Sequence, residues 1–151
     1  MIELELLAIG ALLLVCIAIQ AFTLTALQRR FPAIEVWLAR HQSFTSDVLI
    51  VYVVIVAVVG MHVAQACVWG AFYRYVVGID SIRDSFYHSI LALTTMDDGS
   101  GVLPDRWRML GPAEGLTGWM VFSWSTAWTF IFLTTLRDAR KPASSGSGKG
   151  G

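Results

Sequence analysis

The sequence predicts an all-α membrane protein with three transmembrane helices, and a shorter re-entrant helix and polar loop between the second and third. Three observations predict it. The 151-residue chain is 56% hydrophobic and only 15% charged, with a mean hydropathy of +0.63, less charge than a soluble domain of this length carries. Three runs, 6–27, 48–72 and 115–136, reach the roughly 20 apolar residues that a bilayer crossing takes, and none holds a formal charge. Finally, the segment 82–95 is apolar but too short to span, and it ends in a loop of Asp, Gly and Ser.

The first helix is assigned to residues 1–30. Its leading residues are acidic (Glu3, Glu5) and its apolar run exceeds that of a signal peptide, so it reads as a retained helix. Residues 31–46 follow as a cytoplasmic linker. Ile34, Trp37 and Leu38 share one helical face there, with Glu35 and Arg40 elsewhere, as in an amphipathic helix on a membrane surface. Basic residues in short flanks set orientation. Arg29, Arg30 and Arg40 follow the first helix, and Arg137, Arg140 and Lys141 follow the third. The N-terminus is therefore expected outside and the C-terminus in the cytoplasm, although Arg74, Arg83, Arg106 and Arg108 of the outer region oppose this. The tail 137–151 is a flexible Ser/Gly segment without a fold of its own. Cys16 and Cys67 fall on different spans and read as small apolar residues, with metal or disulfide roles as the alternative. No helix carries arginine at every third position, so nothing supports a voltage sensor.

The region between the second and third spans is the most informative. Ser81-Ile82-Arg83-Asp84 has the Ser-x-x-Asp pattern of a helix start. The helix that follows, about 82–95, ends pointing into the membrane with a partial negative charge that attracts cations. Non-helical backbone at that depth survives only when buried in protein or lining a wet cavity. The Asp, Gly and Ser of 96–103 suit the wet option.

In this region "FYHSILALTTMDDGSGVLP" resembles the pore-helix and filter segment of the tetrameric potassium-channel superfamily. "RWRMLGPAEGLTGWMVFSWSTAWTFIFLTTL" is similar to its inner helix, and the outer helix resembles that of the small bacterial members. The resemblance covers about 48–136. It implies a pore domain over 47–136, with an outer helix at 47–73, a pore helix at 82–95, a filter at 95–101 and an inner helix at 112–136. The first helix and linker are additions to the two-helix plan, and a cell inner membrane is the implied location.

The filter departs from the family's Thr-Val-Gly-Tyr-Gly-Asp. Thr95 matches the threonine, Met96 stands for the valine, Asp97 for the first glycine and Asp98 for the tyrosine. Gly99 keeps the second glycine, Ser100 replaces the aspartate, and Gly101 follows. The non-selective members have Thr-Val-Gly-Asp-Gly, which is closer, and the Thr-x-Asp-Asp order is also similar to calcium-selective filters. Potassium selectivity uses a stack of backbone carbonyls, with glycine allowing the dihedrals that aim them. Replacing the first glycine and the tyrosine by aspartates shortens that stack. Fourfold symmetry then builds carboxylate rings, which select cations by charge and hold divalents. The resemblance thus gives Thr94, Thr95, Met96, Asp97, Asp98, Gly99 and Ser100 as the ion filter, with Asp97 and Asp98 as ligands for a metal ion. The alternative for the two aspartates is a solvated turn.

Other residues carry two readings each. Phe122, Ser125, Thr126 and Thr129 share a helical face and either line an aqueous pore or bond back to their own helix. Gly118, ten residues beyond Arg108 like the family's hinge glycine, is a hinge or a close-packing position. Glu114 at the start of the third helix braces the pore helix or complements a helix N-terminus. His88 supports the filter through Asp98 or Ser100, or is simply packed. His62, with Gln65 and Trp69 on its face, seeks an internal partner near mid-membrane and is expected to be structural.

The resemblance implies the pore-forming subunit of a homotetrameric cation channel that discriminates weakly between sodium and potassium, with calcium as a further candidate ion. One chain supplies one pore loop, so four are needed around an axis. The alternative is a non-conducting relative whose Asp ring binds a divalent cation, with Phe130, Phe132 and Leu133 sealing the path. No enzyme activity is expected, because no Ser-His-Asp set, metal-ligand spacing or phosphate loop is present. No cofactor is expected beyond permeating or bound cations in the filter. The expected partners are identical subunits and lipid, with no nucleic acid.

Overall fold

The computed structural model describes residues 2–41, 43–96 and 103–139. Four helices dominate these residues: α1 (Ile2–Arg40), α2 (Phe44–Phe72), α3 (Ile82–Leu93) and α4 (Leu110–Ala139). A π-helical turn, Tyr73–Val77, extends α2, and a 3₁₀ turn, Asp105–Trp107, precedes α4. The described residues contain no strand. Three stretches, Glu3–Trp37, Phe44–Val77 and Asp105–Asp138, are long and apolar enough to cross a membrane. The protein is an all-helical, multi-pass membrane protein by these measures.

The linker expected at 31–46 takes a different form. α1 continues through Pro32 to Arg40, so 31–40 belongs to the first helix. Proline removes one helical hydrogen bond, but tertiary packing offsets that loss here. Phe31 meets Phe132 edge-on with centroids 5.5 Å apart. Leu27, Phe31 and Ile34 pack on a cluster of Leu24, Ile50, Val54, Trp128, Phe132 and Leu136. A second apolar cluster of Leu12, Cys16, Trp69, Tyr73, Val77, Trp107 and Leu110 holds the other end of the bundle. Between the two clusters lies a belt of polar side chains from α1, α2 and α4.

Much of the remaining apolar surface faces outward. Val53, Val56 and Val63 on α2 and Trp119, Phe130 and Ile131 on α4 are all exposed. In water this would be a liability. Against lipid it is the expected surface of a spanning helix.

α3 is the short element, about 18 Å long at 1.5 Å per residue. Ser81 caps its start, its hydroxyl accepting the Asp84 N–H at 3.3 Å. Its end is closed by a Schellman pair, Met96 N–H to Leu91 O at 2.8 Å and Thr95 N–H to Ala92 O at 3.0 Å. That closure puts Thr95 in the left-handed region at φ +58°, where glycine is the usual occupant and a β-branched residue is strained.

Candidate functional site

The site is built where α3 wedges between α2 and α4. Gly70 on α2 lies under Phe86, so that a Cβ there would stand 3.3 Å from the Phe86 Cα. One turn later on α3, the Ser89 hydroxyl reaches the Ala66 carbonyl at 3.0 Å. On the α4 side, a Cβ at Gly115 would meet the Ala92 carbonyl oxygen at 3.1 Å, and one at Gly118 would overlap the carbonyl of Leu93. Small residues thus let two backbones approach closely. This close approach is the packing role expected as one of the two readings of Gly118.

Glu114 locks the wedge. It is fully buried, and its carboxylate accepts the Ser89 hydroxyl at 2.6 Å and the Tyr73 hydroxyl at 2.7 Å. Removing a carboxylate from water is costly unless donors replace the lost solvation, and α3 and the π-helical turn each provide one. The single Ser89 proton has two acceptors within reach, Glu114 and the Ala66 carbonyl. His88 is buried with its ring edge-on to Tyr73, centroids 4.7 Å apart. Its expected partners Asp98 and Ser100 lie outside the described residues, as do Asp97, Gly99 and Gly101.

Thr94, Thr95 and Met96 are exposed where α3 ends. Leu93, Thr94 and Thr95 border a shallow hollow of about 230 Å³ with Trp119, Phe122 and Ser123 of α4. Below it is a groove of about 470 Å³, lined by Val58, His62, Phe122, Ser125, Thr126, Thr129, Phe130 and Leu133. Phe122 borders both, so a strip runs along α4 from the end of α3. The four residues expected on one face, Phe122, Ser125, Thr126 and Thr129, all line this groove. Two of them also bond back, Ser125 to Val121 O at 2.6 Å and Thr126 to Phe122 O at 2.8 Å.

No family model, no curated protein and no solved structure matches the chain.

Ser89 escapes the sequence reading, and so do two further buried polar residues that bridge helices. Gln20 of α1, with no exposed surface, donates to Val121 O and Ser125 Oγ of α4 at 3.2 and 2.9 Å. Its signal was present, since it is the single amide within the apolar run 6–27 and such residues seek an internal partner. Glu5, also buried, accepts the Met109 N–H at 2.7 Å just before α4 begins. A carboxylate there satisfies an orphan backbone donor and complements the positive end of the helix. Among the described residues no three His, Cys, Asp or Glu side chains group closely enough to hold a metal.

Proposed function

We propose that the chain is the pore-forming subunit of a homotetrameric cation channel, with α3 as a re-entrant pore helix and Thr94–Ser100 as a wide, carboxylate-lined filter. The observation that carries this reading is the register of α3. Its contacts run from Phe86 beside Gly70 to Ser89 beside Ala66, and from Glu114 to Gly118 on α4. α3 therefore travels back along α2 toward mid-span. Its last turn lies level with Ala66 and Gly118, eleven and thirteen residues inside the span ends at Val77 and Asp105.

A polar loop that begins at that depth must be buried in protein or wet. The chain that continues from it is Asp97-Asp98-Gly99-Ser100, and four copies around an axis would turn those carboxylates into rings that favour cations. Loss of the filter glycine and tyrosine argues for weak discrimination between sodium and potassium, with divalent ions held at the carboxylates. Lipid covers the outward apolar faces, with the N-terminus outside and the C-terminus in the cytoplasm of a cell with this inner membrane.

One feature favours the second reading, a sealed relative that binds a divalent ion. The groove is lined by Phe130 and Leu133 beyond Thr129, and both are apolar. Cation flux in proteoliposomes separates the two. Passage of sodium and potassium at comparable rates supports the channel, whereas a stable tetramer that passes no cation supports the sealed form.

A further inference from the structure

The polar belt between the two apolar clusters has a hydrogen-bond direction that can be worked out atom by atom. Two backbone carbonyls, those of Cys16 and Val121, can only accept. Gln20 Nε2 donates to Val121 O at 3.2 Å and to Ser125 Oγ at 2.9 Å, which leaves Gln20 Oε1 as an acceptor. Gln65 Nε2 donates to Cys16 O at 3.1 Å and to Gln20 Oε1 at 3.2 Å, which leaves Gln65 Oε1 as an acceptor. His62 Nδ1 lies 3.0 Å from that oxygen and must carry a hydrogen. In a neutral imidazole, Nε2 is then a bare lone pair.

Nε2 lies 3.1 Å from Ser125 Oγ. The hydroxyl has one hydrogen and two acceptors in reach, His62 Nε2 and Val121 O, the latter at 2.6 Å. With the hydrogen on the shorter bond to Val121, two lone pairs face each other between His62 and Ser125. A proton added at Nε2 removes the conflict. The imidazolium donates to Gln65 and Ser125, Ser125 donates to Val121, and no heavy atom has to move.

We propose that His62 is a proton-binding site of the transmembrane core, its added proton held between Nε2 and Ser125 Oγ and delivered along the groove that His62 and Ser125 line. The groups facing the ring are Gln65 from its own helix, and Ser125 and Phe122 from α4, the last with its ring centroid 4.4 Å away. Gln20 and the Cys16 carbonyl of α1 complete the belt. The titratable groups on these helices nearest in sequence are the Cys16 and Cys67 thiols and Glu114, the latter eleven residues before Ser125, and the apolar runs 6–27, 48–72 and 115–136 hold no formal charge. The added positive charge stands beside Phe122, in the groove that Thr126 also lines. Only its effect on ion flow rests on the channel reading: a cation on that face opposes cation passage, so flux falls as the site fills.

The test is nitrogen-15 magnetic resonance of the full chain in lipid bilayers across pH 4.5 to 8.5, with His62→Gln assigning the His62 signals among the three histidines. The expected result is a neutral ring in the Nδ1–H tautomer that converts to imidazolium within that range. Ser125→Ala removes the acceptor for the added proton and requires about tenfold more acid for half-conversion, while Ser125→Thr, which keeps the hydroxyl, restores it. A neutral ring in the Nε2–H form, a ring that stays neutral throughout, or no effect of Ser125→Ala overturns the site. A ring that titrates as expected in a protein that passes no cation at any pH upholds the site and overturns the channel reading.

Discussion

The backbone of α4 at Gly118 packs directly on the carbonyl of Leu93, at the last turn of α3, so closely that even a methyl group would overlap it. The end of α3 is therefore set by α4. Gly118→Ala should force the helices apart and destabilise the protein by about 1–3 kcal/mol or more. Gly115→Ala, which meets the Ala92 carbonyl oxygen at 3.1 Å, should cost less. Thermal unfolding of the two variants in detergent checks the order, and equal effects would show that the Leu93 approach is not the tight one.

Glu114 should matter more for what it leaves behind than for its own charge. Glu114→Ala removes the carboxylate that accepts from the Tyr73 hydroxyl and one of the two acceptors of Ser89. A hydrogen bond to a charged group contributes about 1.5–3 kcal/mol. Glu114→Gln keeps one carbonyl acceptor and should lose clearly less. Chemical unfolding that ranks alanine above glutamine in damage supports this arrangement.

Thr95 is held at φ +58° by the Schellman closure of α3. A non-glycine residue there is strained by roughly 1–2 kcal/mol. Thr95→Gly should therefore raise stability by about 1 kcal/mol, measured as a higher midpoint of unfolding. An unchanged or lower midpoint would mean that the Thr95 side chain contributes packing that outweighs the strain.

Glu5 ties the first turns of α1 to the start of α4 through the Met109 N–H. Losing a charged acceptor at a helix start typically costs about 1 kcal/mol. Glu5→Ala should also release the N-terminal turns of α1, visible as faster amide hydrogen exchange at residues 3–8, with exchange near Gln20 unchanged. Uniform acceleration along α1 would instead show that the helix docks as a single unit.

How much of this was legible in the chain differs by element. The three spanning helices announce themselves, because 6–27, 48–72 and 115–136 are uninterrupted apolar runs. Ser81 was readable as a cap because its partner, the Asp84 N–H, is three residues away. Long-range pairings were not readable. Glu114 finds Ser89 and Tyr73 at separations of 25 and 41 residues, and Gln20 finds Ser125 at 105. The passage of α1 through Pro32 was hidden for the same reason, since local propensity argues for a break and the contact between Phe31 and Phe132 decides otherwise. Asp97 and Asp98 stand out in the sequence, yet they lie outside the described residues, so the role proposed for them rests on the register of α3 against α2 and α4.

The central claim is that those two carboxylates form the filter, and reversal potentials in planar bilayers test it most directly. With sodium on one side and potassium on the other, the wild-type chain should reverse near zero, with calcium also carrying current. Asp97→Asn and Asp98→Asn should each shift the calcium reversal potential and weaken the preference for cations over anions. A steep potassium potential, or ion preferences that neither substitution alters, would contradict the account.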